Sequence, residues 1–188
     1  MAYTFEDVTT GLPPITSTLA VSTAITQGAT SVYPASAIGR VPGANVGTMQ
    51  RASDPTYGEG EFIYLLGVAS TVVGSVVTWG GGAGTPTYQT ALAPATANLN
   101  QPLAVAMSAN LAGFWGWYQV RGNAVVATNG TLSGAGVPVY LAGSGQVSST
   151  AVAGKQMVNA VSNTATGTPS AGLAVVAIEL PFAQGAIT

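Results

Sequence analysis

The sequence predicts an all-β fold, either a β-sandwich or a small β-barrel, preceded by an extended N-terminal arm. Short Val-rich segments separated by Gly-rich turns recur roughly every 8–12 residues, which is typical of sandwiches and barrels. No segment combines the 3.6-residue apolar period of an amphipathic helix with capping residues. The 188 residues include 25 Gly and 11 Pro, which interrupt or end regular structure.

Residues 1–58 are expected to form the arm. This region contains Pro13-Pro14, Pro34, Pro42 and Pro55, and few large apolar residues. Since proline lacks a backbone N–H, long central strands are not expected here, and we predict one or two short strands, of which residues 16–21 are one candidate. A segment of this length without regular structure is unusual in a compact domain, but it is expected if the arm packs on a neighbouring subunit. The alternative is a flexible tail.

Residues 59–188 are expected to form the β-rich core domain. Strands are predicted at residues 61–66, 103–107, 114–122, 124–127, 137–141, 146–148, 157–161 and 173–182. Gly74-Ser75 predicts a hairpin between two Val pairs, and Asn129-Gly130 predicts a hairpin between the strands on either side of it. The last two strands are expected to pair with each other.

The densest group of aromatic residues lies in the predicted strand at 114–122. A two-residue period places Trp115 and Trp117 on one face of the strand and Tyr118 on the other. Together with Phe62 and Tyr64, these side chains are expected to anchor the core or a subunit interface, where Trp and Tyr are common. The alternative is that Trp115, Trp117 and Tyr118 stack on a sugar or a base.

The charge composition excludes several classes of function. The chain has 4 Lys+Arg and 6 Asp+Glu, a net charge of −2, and no His or Cys. Ser-His-Asp and Cys-His catalysis, disulfides, and zinc sites with thiolate or imidazole ligands are therefore impossible. Four cations are too few to neutralise a run of phosphates, so no nucleic-acid partner is expected.

No catalytic, cofactor-binding or metal-binding residue is predicted, and the protein is not expected to be an enzyme. Asp54, Glu59 and Glu61 form the only acidic group away from the terminus, and their spacing does not match a calcium loop. We interpret them as a solvated turn and the start of a strand. Arg121 is expected to pair with a carboxylate across an interface.

Charged residues make up 5% of the chain, against about 25% in an ordinary soluble domain. A surface so poor in charge is expected either in a membrane or beneath other subunits. The most apolar stretch, residues 62–79, is interrupted by Gly and hydroxyl residues in the manner of strands and turns. The sequence therefore predicts no membrane partner and favours a homo-oligomer.

Several segments resemble small structural proteins of tailed-bacteriophage heads. These are GTMQ at 47–50, YGEGEFIYLLGVA at 57–69, VAMSAN at 105–110, WGWYQVRG at 115–122 and GTPSAGLAVVAIEL at 167–180. Over roughly residues 45–182 the chain is similar to bacteriophage capsid decoration, or cement, proteins.

The resemblance implies a β-rich structural protein of the virion, bound to the major capsid protein on the capsid exterior and made in the cytoplasm of the bacterial host. It also implies a homo-oligomer, for which we expect a trimer, and it implies no active site. Two alternatives stay open. One is a tail, neck or fibre component, and the other is a carbohydrate-binding module using Trp115, Trp117 and Tyr118.

Overall fold

A computed structural model describes residues 46–80 and 88–186, together with three short strands nearer the N-terminus. No helix occurs among these residues, and the strands form a curled antiparallel sheet with the shape of a half-barrel. The all-β prediction is confirmed.

Four strands lie within the predicted arm, residues 1–58. The first three are β1 (Thr4–Phe5), β2 (Ile25–Gln27) and β3 (Thr30–Tyr33), and the fourth, at Met49–Asp54, belongs to the main sheet described next. Strands β2 and β3 pair only with each other, in a separate two-stranded sheet. The predicted strand at residues 16–21 lies outside the described residues.

Ten further strands complete the main sheet. They are β4 (Met49–Asp54), β5 (Gly58–Leu66), β6 (Val76–Thr78), β7 (Ala91–Leu92), β8 (Leu103–Ala106), β9 (Trp115–Ala127), β10 (Pro138–Gly143), β11 (Gln146–Ser148), β12 (Gln156–Ser162) and β13 (Leu173–Ala183). The sheet begins with β1 paired to β4, so it includes residues from the segment expected to be arm.

The strand order is β1-β4-β5-β9-β13-β12-β10-β11, with β8, β6 and β7 as a branch from β9. Strand β9 is therefore bonded along both edges. Strand β5 pairs with one edge, from Leu66 opposite Trp115 to Gly60 opposite Gly122. The other edge is shared by β8 and, further along, by β13.

A bulge in β9 changes which residues share a face. Glu61 lies opposite Arg121, but the next residue of β5, Phe62, lies opposite Gln119, so Val120 is an extra residue in β9. Such an insertion reverses the alternation of side chains along the bulged strand. Gly122, with φ +96°, stands at the bulge, and a Cβ there would lie 3.1 Å from the Cα of Gly60.

The two faces of the sheet bury different clusters. We call the face that carries the largest cluster, contributed mainly by β8 to β13, the inner face. This cluster consists of Val76, Ala93, Leu103, Val105, Ala124, Val126, Leu132, Val139, Leu141, Val147, Met157, Ala174, Val176, Ile178 and Ala183. The opposite, outer face buries a smaller cluster near β5 and β6, made of Ile63, Leu65, Val77, Ala104, Ala106, Tyr118 and Val120.

The two predicted tight hairpins are wrong. Val72 and Val73 are exposed and lie outside any strand, and Val77 instead pairs with Leu92 of β7 and Ala104 of β8. After the turn at Asn129-Gly130 the chain does not pair back onto β9, and one edge of β9 before the turn, residues 121–127, is paired with β13 instead. The predicted pairing of the last two strands, β12 with β13, is confirmed.

The bulge predicts a large effect for Gly122→Ala. The backbone conformation disfavours Ala, and the new Cβ would also press against β5, so we expect a loss of about 1–3 kcal/mol in the free energy of unfolding. Gly130→Ala is a matched control, because Gly130 has φ +94° and no atom near its added Cβ. Denaturant unfolding measures both, and equal losses would contradict the steric contribution from β5.

Candidate functional site

Four of the five aromatic residues singled out from the sequence meet on the inner face. Phe62, Tyr64 and Trp117 have no exposed surface, and Trp115 is half-buried. The ring of Tyr64 lies 5.0 Å from that of Trp117 at a tilt of 52°, and 6.3 Å from that of Trp115 in a stacked arrangement. With Ala52 and Met107 they form one packed cluster at the end of the sheet near β4 and β5.

The fifth residue, Tyr118, lies on the outer face, as strand alternation predicts. It packs with Ile63, Leu65 and Val120, and its hydroxyl accepts a 2.8 Å hydrogen bond from Nδ2 of the buried Asn110. Burial raises the pKa of the Tyr118 hydroxyl, and its hydrogen bonds with Thr90 and Asn110 act in the opposite direction.

These positions do not make a platform for sugar stacking. A stacking platform needs exposed rings that share one face, as bound sugars and bases require. Trp117 and Tyr118 lie on opposite faces, and neither has exposed surface. The aromatic residues therefore contribute packing in this structure.

A row of four charged residues crosses the outer face of four adjacent strands. Arg51 of β4 lies opposite Glu61 of β5, Glu61 lies opposite Arg121 of β9, and Arg121 lies opposite Glu179 of β13. We call this row the charge ladder. Glu61 Oε1 accepts from Arg51 Nε at 2.9 Å and from Arg121 Nη1 at 3.0 Å, and Arg121 Nη2 donates to Glu179.

The local sequence explains why Arg51 and Glu61 pair in the charge ladder. Asp54 Oδ1 accepts hydrogen bonds from the backbone N–H groups of Thr56, at 2.7 Å, and Tyr57, at 3.0 Å. This turn chemistry, in which Asp caps its own backbone, fixes the connection between β4 and β5. Asp54 lies opposite Gly58, so three residues further from the turn along each strand Arg51 lies opposite Glu61.

The acidic residues singled out from the sequence therefore have separate roles. Asp54 holds the turn, Glu61 is the centre of the charge ladder, and Glu59 is exposed. Across residues 46–80 and 88–186 no group of three or more His, Cys, Asp or Glu is placed to hold a metal ion.

Arg121 binds two carboxylates of its own chain, Glu61 and Glu179, and this differs from the expected partner across an interface. The hydrogen bond with Glu179 is the main cause that raises the pKa of Arg121, and the guanidinium is a permanent cation. The ladder ends are open to solvent, since the Arg51 and Glu179 side chains are 65% and 62% exposed, while Glu61 is 17% exposed.

The ladder contains most of the charge on the described surface. Seven charged residues are described, and all but Asp54 and Lys155 lie on the outer face in or beside the ladder: Arg51, Glu59, Glu61, Arg121 and Glu179. A row of fixed charges of alternating sign is suited to recognising another charged surface.

Sequence reasoning missed Arg51 and Glu179. The signal for Arg51 was available, since the Asp-capped turn sets the β4–β5 register. Glu179 could not be found in this way, because its place depends on the pairing of β13 with β9, more than 50 residues away along the chain.

Comparison of the chain with protein-family models, with curated proteins and with solved structures found no match. The described residues also contain no helix of the length and apolar character needed to cross a membrane.

The aromatic cluster predicts that Trp117→Ala destabilises the fold strongly. The indole is fully buried, so its removal is expected to cost about 3–5 kcal/mol in the free energy of unfolding. Trp115→Ala is the control, because the half-buried Trp115 should cost less. Urea denaturation followed by circular dichroism measures both, and an equal or smaller loss for Trp117→Ala would contradict the packing role.

Tyr118→Phe is expected to reduce stability at neutral pH, because Asn110 loses its acceptor in a buried site, at a cost of about 1–3 kcal/mol. The raised pKa of Tyr118 means that the unfolded chain loses this proton first. Its contribution is complete below the ordinary value of 10.0 and declines as the pH rises above it. The stability difference between wild type and Tyr118→Phe should therefore shrink above pH 10, and a constant difference would contradict the assignment.

Proposed function

We propose that this chain is a structural, non-enzymatic protein that assembles with copies of itself and decorates the outside of a tailed-bacteriophage head. The observation that carries the proposal is the scarcity of charge on its surface. Only seven charged residues occur among those described, and four of them neutralise one another within the charge ladder. A free monomer normally relies on far more surface charge to remain dispersed.

Exposed apolar side chains support the same conclusion. Nine large hydrophobic residues of the described surface are exposed: Met49, Val72, Val73, Tyr88, Leu111, Val152, Val161, Leu180 and Phe182. Single exposed hydrophobic residues are ordinary, but on this chain few charges accompany them. Burying apolar surface contributes about 25 cal/mol per Å², so contacts between copies would be favourable without ion pairs.

A shell protein is a suitable destination for such a surface. A capsid repeats one binding site many times, so a modest affinity at each site gives a large total stabilisation when the bound copies are linked. The pairing of the short β1 with β4 also shows that the free edge of β4 accepts an added strand. Extended segments of one protein commonly bind another in this way, by adding a strand to the edge of its sheet. The resemblance of residues 45–182 to decoration proteins supports a tailed-bacteriophage head as this shell, with the major capsid protein as the partner.

The other candidates receive less support. A carbohydrate-binding module would need exposed rings at Trp117 and Tyr118, and both are buried. A tail, neck or fibre protein would share the same surface chemistry and would differ in copy number. The absence of His and Cys leaves carboxylates as the main acid–base groups for an enzyme, and Glu61 and Glu179 are bound to Arg121.

Sedimentation velocity of the purified chain tests self-assembly, and we expect a homo-oligomer, with a trimer as the specific expectation. Quantitative gel analysis of purified virions tests the location, and we expect hundreds of copies in each particle. A stable monomer would contradict self-assembly, and a handful of copies would place the chain in the tail or neck.

A further inference from the structure

We infer that the two open ends of the charge ladder form a head-to-tail contact between copies of this chain, with Arg51 of one copy binding Glu179 of the next. This inference rests on the self-assembly proposed above and names the surface responsible. It follows from the positions of two small patches, one at each end of the ladder.

The first patch, which we call the β4 end, consists of Met49 and Arg51. They are two residues apart in the same strand and so share the outer face. Met49 is 47% exposed, and the Arg51 side chain is 65% exposed. Arg51 uses only Nε for Glu61, so its two terminal nitrogens have no partner within the described part of the chain.

The second patch, the β13 end, consists of Glu179, Leu180 and Phe182. The Glu179 side chain is 62% exposed, and Leu180 and Phe182 are 49% and 36% exposed. Glu179 also borders an open surface groove lined on its other side by Asn159 and Val161 of β12. A carboxylate bound to Arg121 through Oε1 has room to accept further donors.

The two patches match in charge and in layout. Three successive antiparallel pairings separate β4 from β13, so the two strands run in opposite directions. Met49 precedes Arg51, whereas Phe182 follows Glu179, so both apolar groups lie on the same side of the ladder. Placing the β4 end on the β13 end therefore pairs cation with anion and apolar with apolar.

Leu180 provides an independent sign that the β13 end has a partner. Its φ of +47° lies in the left-handed region, which Leu disfavours and which Asn or Gly adopts more readily. Half of the side chain is exposed, so neither backbone preference nor burial within the chain accounts for Leu here. A contact made by its side chain in the assembly would account for it.

The contact uses different surfaces on the two partners, so it is heterologous. Such contacts close into rings when the rotation between copies is suitable, as in a trimer, and extend into filaments when it is not. The alternating order of the ladder also disfavours a symmetric contact between the β4 ends of two copies, because Arg51 would then face Arg51 and like charges would repel.

Sedimentation velocity of Arg51→Gln and Glu179→Gln tests the contact. Each should weaken association about tenfold. Glu59→Gln is the matched control, because Glu59 is an exposed carboxylate on the same face with no ion pair among the described residues. The double variant R51E/E179R exchanges the two charges and should associate more tightly than either R51E or E179R alone.

Leu180→Asn separates assembly from folding. Asn suits the left-handed backbone, so the thermal midpoint of an isolated copy should not fall, while association should weaken. Oligomers that are unchanged by all of these substitutions would overturn the contact and leave self-assembly intact. A wild-type chain that remains monomeric would overturn both the contact and the proposed function.

Discussion

The whole main sheet depends on the hydrogen bonding of β9 along both of its edges. Strand β5 follows one edge, while β8 and β13 divide the other. The large inner core needs side chains from β8, β9 and β13 at once, and the aromatic cluster needs β5 and β9. Because the same strand supplies both clusters, the half-barrel cannot form in separable halves. The extra residue at Val120 and the left-handed Gly122 let β9 serve both neighbours.

The charge ladder specifies register where the other residues specify little. The sheet consists largely of Val, Ala, Ser, Thr and Gly, whose side chains are similar enough to tolerate a shifted pairing. A shift by one residue would turn Glu61 towards the aromatic cluster of the inner face and separate it from Arg51 and Arg121. Burying an unpaired carboxylate in that way is far more costly than the small net gain of about 0–1 kcal/mol from a surface ion pair. The ladder therefore contributes more to selecting the correct strand register than to the free energy of folding.

Local sequence patterns predicted where most strands lie. Which strands pair, and which face some side chains occupy, depends on contacts between distant parts of the chain. The strands β5, β8, β12 and β13 follow from short apolar runs bounded by turn residues, and the separation of Trp117 from Tyr118 follows from the two-residue period of a strand. A two-residue period assumes a regular strand, so it places Arg121 on the face of Trp117, whereas the bulge moves it to the outer face beside Glu61 and Glu179. The hairpin predicted at Asn129-Gly130 failed for a related reason, since turn propensity says nothing about which edge of β9 is already occupied.

The distribution of burial over the two faces decides where other molecules can bind. On the inner face, Trp117 and Ile178 belong to packed clusters that leave little exposed surface. The outer-face cluster around Tyr118 is buried as well. Contacts with other molecules must then use the rest of the outer face, the strand edges or the loops, and most of the described charge lies on the outer face. When two copies meet in the wrong orientation, a charged side chain at the contact loses its water without gaining an opposite charge. This free-energy penalty disfavours incorrect orientations strongly. A small number of charges at fixed positions can therefore determine how an otherwise apolar surface is oriented, without making the surface highly charged.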